Sequence, residues 1–206
     1  MIRKSEVIDF FDRLAPSWDE GMVRSEEVIR CILDNAGVSE GKDVLDVACG
    51  TGVLIPDYLA RGASVTAIDI APNMAAIARE KFEKYGVEVL RGDVETTEFE
   101  KQFDCIVVYN AFPHFPDPER LIRRLASLLK PGGTLTVAHG MSREKLEEHH
   151  SGSAHAVSHH LMPAEQLAEI FGEVLRVTAV VDSETMYQVA GTASPSPSDT
   201  ASSASE

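Results

Sequence analysis

The chain has 206 residues, 44% of them hydrophobic and 25% charged, with a net charge of −14. That length supports one domain with a sizeable core, and the composition is that of a globular chain rather than a disordered or fibrous one. So acidic a surface argues against a nucleic-acid backbone or an anionic membrane as partner.

The chain opens on Ile2 to Leu14, where Val7, Phe10, Phe11 and Leu14 fall at helical spacing. No long apolar run is present there, so a cytoplasmic chain without signal peptide or membrane span is expected. Ala15-Pro16 breaks the helix, and Trp18, the single tryptophan, follows. Trp18 has two readings: a cover that closes over a ligand, or an anchor for a loosely attached helix. Glu20 to Ala36 reads as a second helix ended by Gly37.

Val44 to Val47 reads as a buried parallel strand running into Cys49-Gly50-Thr51-Gly52 and a helix over Leu54 to Ala60. Strand, glycine turn and helix bring backbone N–H groups and a helix start up to a ligand. Gly50 and Gly52 leave the backbone bare where that ligand approaches. Asp46 puts a carboxylate at the strand's end, favouring positive charge or hydroxyls over a naked pyrophosphate. A dinucleotide fingerprint would need a third glycine where Ile55 stands, which counts against a nicotinamide-dependent oxidoreductase.

Ser64 to Asp69 is the second strand. An acidic residue about 20 positions past the glycine turn is where doubly wound folds grip a ribose diol. The other reading of Asp69 is a cap for the helix opening at Ala71-Pro72. Val87 to Leu90 is the third strand, ending in Gly92-Asp93-Val94, and Phe103 to Tyr109 is the fourth. Cys49 and Cys105 fall in the glycine turn and the fourth strand; with Cys31 they form no CxxC pair and read as packed thiols. Glu119 to Leu129 reads as an amphipathic helix, and Lys130-Pro131-Gly132-Gly133 as a tight turn into a fifth strand, Thr134 to Ala138. Pro163 to Phe171 is a further helix, followed by an antiparallel pair, Val174 to Val181 and Tyr187 to Ala190. Thr192 to Glu206 is a Ser/Ala/Pro-rich stretch with nothing to bury and reads as a disordered tail. Alternating strands and helices predict a parallel sheet covered on both faces, with ligands beyond the carboxyl ends of the strands.

Phe11-Asp12, Ala15 and Trp18-Asp19, the stretch Val44 to Leu54, Gly92-Asp93, and Leu129-Lys130-Pro131-Gly132-Gly133-Thr134-Leu135 carry a family resemblance. From about Phe10 to Ala190 the chain resembles the class I S-adenosylmethionine-dependent methyltransferases, in the small-molecule branch that includes the ubiquinone/menaquinone-biosynthesis type. The resemblance implies an α/β fold with a doubly wound, mostly parallel seven-stranded sheet, helices on both faces and an antiparallel last strand. It implies one methyltransferase domain over 1–191, with 1–36 a helical lid and 139–162 a histidine-rich flap. S-Adenosylmethionine would be the donor and S-adenosylhomocysteine the product. Asp46, Ala48, Gly50 and Gly52 would cradle the methionine half, and Asp69 and Ile70 the ribose. Met74, Asp93 and Val94 would meet the adenine, the backbone at Tyr109-Asn110 would face the sulfonium, and Trp18 would close over it. The implied partner is a small-molecule acceptor, served by a monomer or homodimer. A non-catalytic sensor that binds S-adenosylmethionine or another nucleotide is the rival from a different class.

All seven histidines lie between 114 and 160, on the acceptor side of such a fold. Three readings compete. The flap is a solvated cap; or His114 and His139, following the fourth and fifth strands, serve as general base or orient the acceptor; or His139, His150, His155 and His159 bind a divalent metal, His155 and His159 being spaced by one helical turn.

Overall fold

The computed structural model describes residues 3–20, 22–148 and 157–195, and the backbone of 149–150. Its elements are α1 (Lys4–Leu14), α2 (Glu26–Asn35), β1 (Asp43–Val47), α3 (Ile55–Ala60), β2 (Ser64–Asp69), α4 (Pro72–Phe82) and β3 (Glu88–Arg91). There follow β4 (Phe103–Tyr109), α5 (Pro118–Ser127), β5 (Leu129–His139), α6 (Arg143–His150), α7 (Ala164–Gly172), β6 (Arg176–Asp182) and β7 (Tyr187–Thr192). The seven strands form one sheet in the order β3-β2-β1-β4-β5-β7-β6. β1 to β5 pair in parallel, and β7 runs antiparallel to both neighbours. This is the doubly wound, mostly parallel fold that the resemblance implied.

The pleat divides the core. On one face Leu45, Val47, Ile106, Val108, Leu135 and Val137 pack against Leu121, Ile122 and Leu125 of α5 and Leu167 and Phe171 of α7. On the other, Val44, Val65, Ala67, Cys105 and Val107 pack against Ile29, Ile32 and Leu33 of α2, Ile55 and Tyr58 of α3, and Ala75 and Ala78 of α4. Both faces of β1 and β4 are therefore buried, which is why those strands read as continuous apolar runs. Among the described residues no helix is long and apolar enough to cross a membrane.

Two local expectations change. The second helix begins at Glu26, not Glu20, because the Ser25 hydroxyl accepts from the Val28 N–H at 3.4 Å and caps it there. The segment before it is released to run along the carboxyl ends of the strands. Lys130 to Gly133 is no simple turn into the fifth strand. β5 already pairs at Leu129, opposite Phe103, and the register then jumps so that Thr134 stands opposite Cys105. The four residues between bulge out of the ladder. Their backbone joins the end of β7, Gly132 N–H donating to the Ser194 carbonyl and Ala193 N–H to that of Gly133 at 2.8 Å. Lys130 Nζ meanwhile reaches Asp43 at 2.7 Å and Asp104 at 2.8 Å, closing the amino ends of β1 and β4.

The two glycines of the bulge are bare for different reasons. A Cβ on Gly133 would lie 2.9–3.0 Å from the carbonyl oxygens of Lys130, Asp104 and Phe103. Gly132 has open space but a φ of +74°. Gly132→Ala is therefore expected to cost about 1–2 kcal/mol of backbone strain, and Gly133→Ala more, because three backbone carbonyls must move. Urea unfolding of both variants checks the order; equal midpoints would refute it.

Candidate functional site

A cavity of about 500 Å³ opens at the carboxyl ends of the strands. The loop after β1 contributes Ala48, Cys49 and Gly50, and the loop after β2 contributes Asp69 and Ile70, with Met74 from α4. Gly92, Asp93 and Val94 follow β3; Tyr109, Asn110, Ala111, His114 and Phe115 come from the end of β4; Met141 follows β5. The N-terminal segment forms the remaining wall with Lys4, Val7, Phe11, Trp18, Glu20 and Met22 to Arg24.

Asp69 is the hub of the floor. Its Oδ2 accepts from Gly50 N–H and its Oδ1 from Ala71 N–H, both at 2.8 Å. Burial pushes this carboxyl up to about 6, against the pull of those two bonds. Asp46 lies behind the wall, wholly buried; Tyr58 Oη is 3.5 Å from its Oδ1, and its Oδ2 has no hydrogen-bond partner among the described residues. Burial, with the neighbouring Asp69 adding to it, pushes Asp46 up to about 8. Two buried carboxyls beneath a bare glycine turn suit a ligand that brings positive charge and hydroxyl donors. Only two non-glycine residues among those described have positive φ, Ala48 at 54° and Asn110 at 53°. Both line the cavity, and strained backbone of this kind collects at functional sites.

The N-terminal segment is fastened around the rim by polar contacts. Lys4 Nζ bonds Asp93 and Glu95, each at 2.5 Å. Burial would depress the Lys4 ammonium, but these bonds outweigh it and hold it above its ordinary value. Asp12 accepts from Asn73 N–H at 2.7 Å, at the start of α4. Asp19 accepts from Thr51 Oγ1 at 2.6 Å and pairs with Lys81. Arg24 grips both oxygens of Asp57 at 2.9 Å and donates to the Val53 carbonyl at 2.9 Å. Phe11 stacks edge-on against Trp18 at 5.4 Å and against His114 at 4.8 Å, so its ring links the segment to the loop after β4.

The acceptor end is set by β4 and β5. His114 Nδ1 lies 2.8 Å from the Val157 carbonyl and 3.2 Å from Ser158 Oγ. A carbonyl only accepts, so Nδ1 carries the proton and the lone pair of the neutral ring lies on Nε2.

Of the residues expected around a ligand, Ala48, Gly50, Asp69, Ile70, Met74, Asp93, Val94, Tyr109, Trp18 and His114 share this one cavity. Three others do not line it. Asp46 is behind the floor. Gly52 is bare for packing rather than for a ligand: a Cβ there would meet Phe82 of α4 at 2.6 Å and Ile55 at 2.8 Å. His139, expected in the crevice, is fully buried and packs edge-on against Tyr187 at 5.9 Å. Strand alternation is the reason, since residue 139 shares the face of Leu135 and Val137, one step out of phase with Ala138. Of the four histidines considered for a metal, only the side chains of His139 and His159 are described. His139 is in the core, His159 is exposed, and no group of three His, Cys, Asp or Glu able to hold a metal occurs among the described residues. The His150 side chain and His155 lie outside those residues, as does the tail beyond 195. Lys4 and Arg24 were not anticipated; Lys4 meets Asp93 and Glu95, and Arg24, besides its near neighbour Glu26, meets Asp57, partners far away in the sequence.

Comparison with known proteins agrees with the fold. Residues 44–133 match the family model described as Methyltransferase domain. A ubiquinone biosynthesis O-methyltransferase of Xanthomonas axonopodis pv. citri is 43% identical over 99 residues, 46% of this chain and 41% of that protein. One from Coxiella burnetii is 31% identical over 142 residues, 65% of this chain and 61% of that protein. The chain thus spans about half the length of the curated relatives it matches. Among solved structures, a SAM-dependent methyltransferase from Aquifex aeolicus superposes with a TM-score of 0.66 at 21% identity, covering 94% of this chain and 100% of the other. The N-methyltransferase NodS from Bradyrhizobium japonicum, in complex with S-adenosyl-L-homocysteine, gives 0.70 at 16% identity over 90% and 97%.

Asp46 supplies a stability signature. The native state keeps its proton up to about pH 8, while the unfolded chain gives it up near pH 3.9. The stabilisation linked to this carboxyl is complete below about pH 4 and is lost as pH rises through about 8. Urea midpoints of the wild type should therefore decline between about pH 5 and pH 8, and Asp46→Asn should flatten that decline. Identical slopes in the two proteins would refute the assignment.

Proposed function

We propose that this chain is a class I S-adenosylmethionine-dependent methyltransferase and that it transfers a methyl group from S-adenosylmethionine to a small-molecule acceptor. The observation that carries this reading is the convergence of Asp69, Asp93 and the Gly50 turn on one crevice, with Oδ2 of the buried Asp46 lacking a hydrogen-bond partner among the described residues. That donor set fits a ligand with a ribose diol, an adenine amino group, a sulfonium and an ammonium. It fits a pyrophosphate poorly, because two buried carboxyls stand where phosphate would need N–H groups alone.

Asp69 takes the ribose hydroxyls. Each of its oxygens already accepts one backbone N–H, and each has capacity for a second bond. Asp93 accepts from the adenine amino group beside its bonds to Lys4 and to the Glu95 N–H. Met74, buried against Ala15 and Ala71, packs under the adenine ring. Gly50 lets the backbone approach the methionine half, and Phe11 and Trp18 shut water out from above.

S-Adenosylmethionine bound there supplies an already activated methyl, and the electron pair of its breaking C–S bond stays on the sulfur of the S-adenosylhomocysteine that leaves. What remains for the protein is to align the acceptor and take up its proton. His114 lines the acceptor end with Nδ1 committed to the Val157 carbonyl, so Nε2 is the basic atom of the ring. We assign it the role of general base.

Purified protein should release S-adenosylhomocysteine with at least one member of a broad acceptor panel. Asp69→Ala should weaken S-adenosylmethionine binding by about 1.5–3 kcal/mol, the loss of charge-assisted hydrogen bonds. Unchanged affinity by calorimetry would sink the ribose assignment. His114→Gln should lower turnover about a hundredfold or more while leaving donor affinity near wild type. Undiminished turnover would move the base elsewhere.

A further inference from the structure

The donor's adenine is assigned to Asp93, and the Asp93 carboxylate is held in place by other residues. Its backbone is set by its own carbonyl, which accepts from Thr97 N–H at 2.8 Å and Thr96 N–H at 3.0 Å. Its side chain is set from two sides: Oδ1 accepts from Glu95 N–H at 3.0 Å, and Oδ2 from Lys4 Nζ at 2.5 Å. The Lys4 ammonium also bonds Glu95 Oε2 at 2.5 Å, and Arg120 of α5 holds the other Glu95 oxygen at 2.6 Å. Cations and carboxylates thus alternate from α1, across the loop after β3, to α5. Glu95 is the buried link, its side chain 6% exposed, and a carboxylate so placed keeps its counter-charges close. Nothing in α1 itself calls for a lysine here. Lys4 is the first residue of the helix, at the positive end of the helix dipole, where a cation is unfavourable. The apolar contacts of α1 are made by Val7, Phe10, Phe11 and Leu14 instead.

We propose that Lys4 is a positioning residue for the donor: it holds the Asp93 carboxylate in the orientation that receives the 6-amino group of adenine, so that the base is read with α1 in place. The proposal rests on the methyltransferase reading. Lys4 and Asp93 line the same cavity. Each oxygen of Asp93 has one of the bonds just described and retains capacity for another. Without the ammonium, Asp93 and Glu95 would be neighbouring carboxylates with Arg120 as their counter-charge, and like charges so placed disfavour each other. Glu95 is held by Arg120, whereas Asp93, with its side chain 20% exposed, is the one able to turn toward water. The adenine amino group would then meet an acceptor that must first be drawn back and ordered, at a cost in affinity. By linkage, a ligand that bonds Asp93 strengthens the hold of the loop on α1 by the same factor.

The test uses the full chain and two ligands that differ at one group: S-adenosylhomocysteine and its analogue with hydrogen in place of the 6-amino group. By calorimetry the wild type should bind S-adenosylhomocysteine at least about tenfold tighter, since the analogue leaves the carboxylate without its N–H partner. Lys4→Met keeps the apolar stem of the side chain and removes its charge. It should weaken S-adenosylhomocysteine about tenfold and leave the analogue within about twofold of wild type. Lys4→Arg, which keeps the charge, should keep the preference. A lysine that only fastened α1 would give another pattern, with both ligands weakened together in Lys4→Met. That pattern, an unchanged preference in Lys4→Met, a wild type without preference, or a preference lost as fully in Lys4→Arg as in Lys4→Met would each overturn the proposal. Failure of the wild type to bind either ligand would instead overturn the methyltransferase reading itself.

Discussion

One residue, Asp69, ties together the ends of three strands. Its two side-chain oxygens hold the turn after β1 through Gly50 and the entry to α4 through Ala71. Its backbone carbonyl accepts from Gly92 N–H at 2.9 Å, fixing the turn after β3. The loops that form the floor are thus set by a single carboxyl at the carboxyl end of β2. The cost is a second carboxyl, Asp46, buried beside it without a full set of partners. Such an arrangement is poor for stability, and a cation bound beside it would favour release of the Asp46 proton.

The roof follows a different principle from the floor. The sheet and its covering helices are held by two large apolar clusters, whereas α1 has only two small ones, around Val7 and Phe10 and around Ala15 and Met74. Its remaining attachments are the contacts of Lys4 and Asp12, and the segment after it is fastened at Asp19 and Arg24. Partly exposed pairs of this kind contribute no more than about 1 kcal/mol each. A segment held this way opens at far less cost than any strand of the core. Lys4 binds the same carboxylate that the proposed adenine contact uses, so roof and ligand meet at Asp93.

The floor was legible in the sequence because its logic is local. Asp69 and Asp93 each end a strand, and a strand end facing a glycine turn can be placed by counting. The failures came where side-chain direction or distant pairing decides. His139 and Ala138 differ by one position, and the pleat sends one to each face. Gly52 lies in the same turn as Gly50, yet it is bare for Phe82, a residue 30 positions on. Lys4 and Arg24 gave no signal, since a lone cation reveals nothing of a partner 89 or 33 positions away. The bulge at Lys130 to Gly133 was seen as a turn because its glycines are those of a turn; its partner, the end of β7, comes 60 residues later.

Ala48 and Asn110 hold left-handed backbone just past the ends of the adjacent strands β1 and β4. At about 1–2 kcal/mol apiece, they consume a noticeable part of a total stability that is typically about 5–15 kcal/mol. The chain adopts these shapes when it folds, so the entropy of ordering the walls is settled before a ligand arrives and does not subtract from its affinity. Glycine at position 48 would take the same turn without the steric cost; alanine there leaves this wall of the crevice stiffer and the fold less stable.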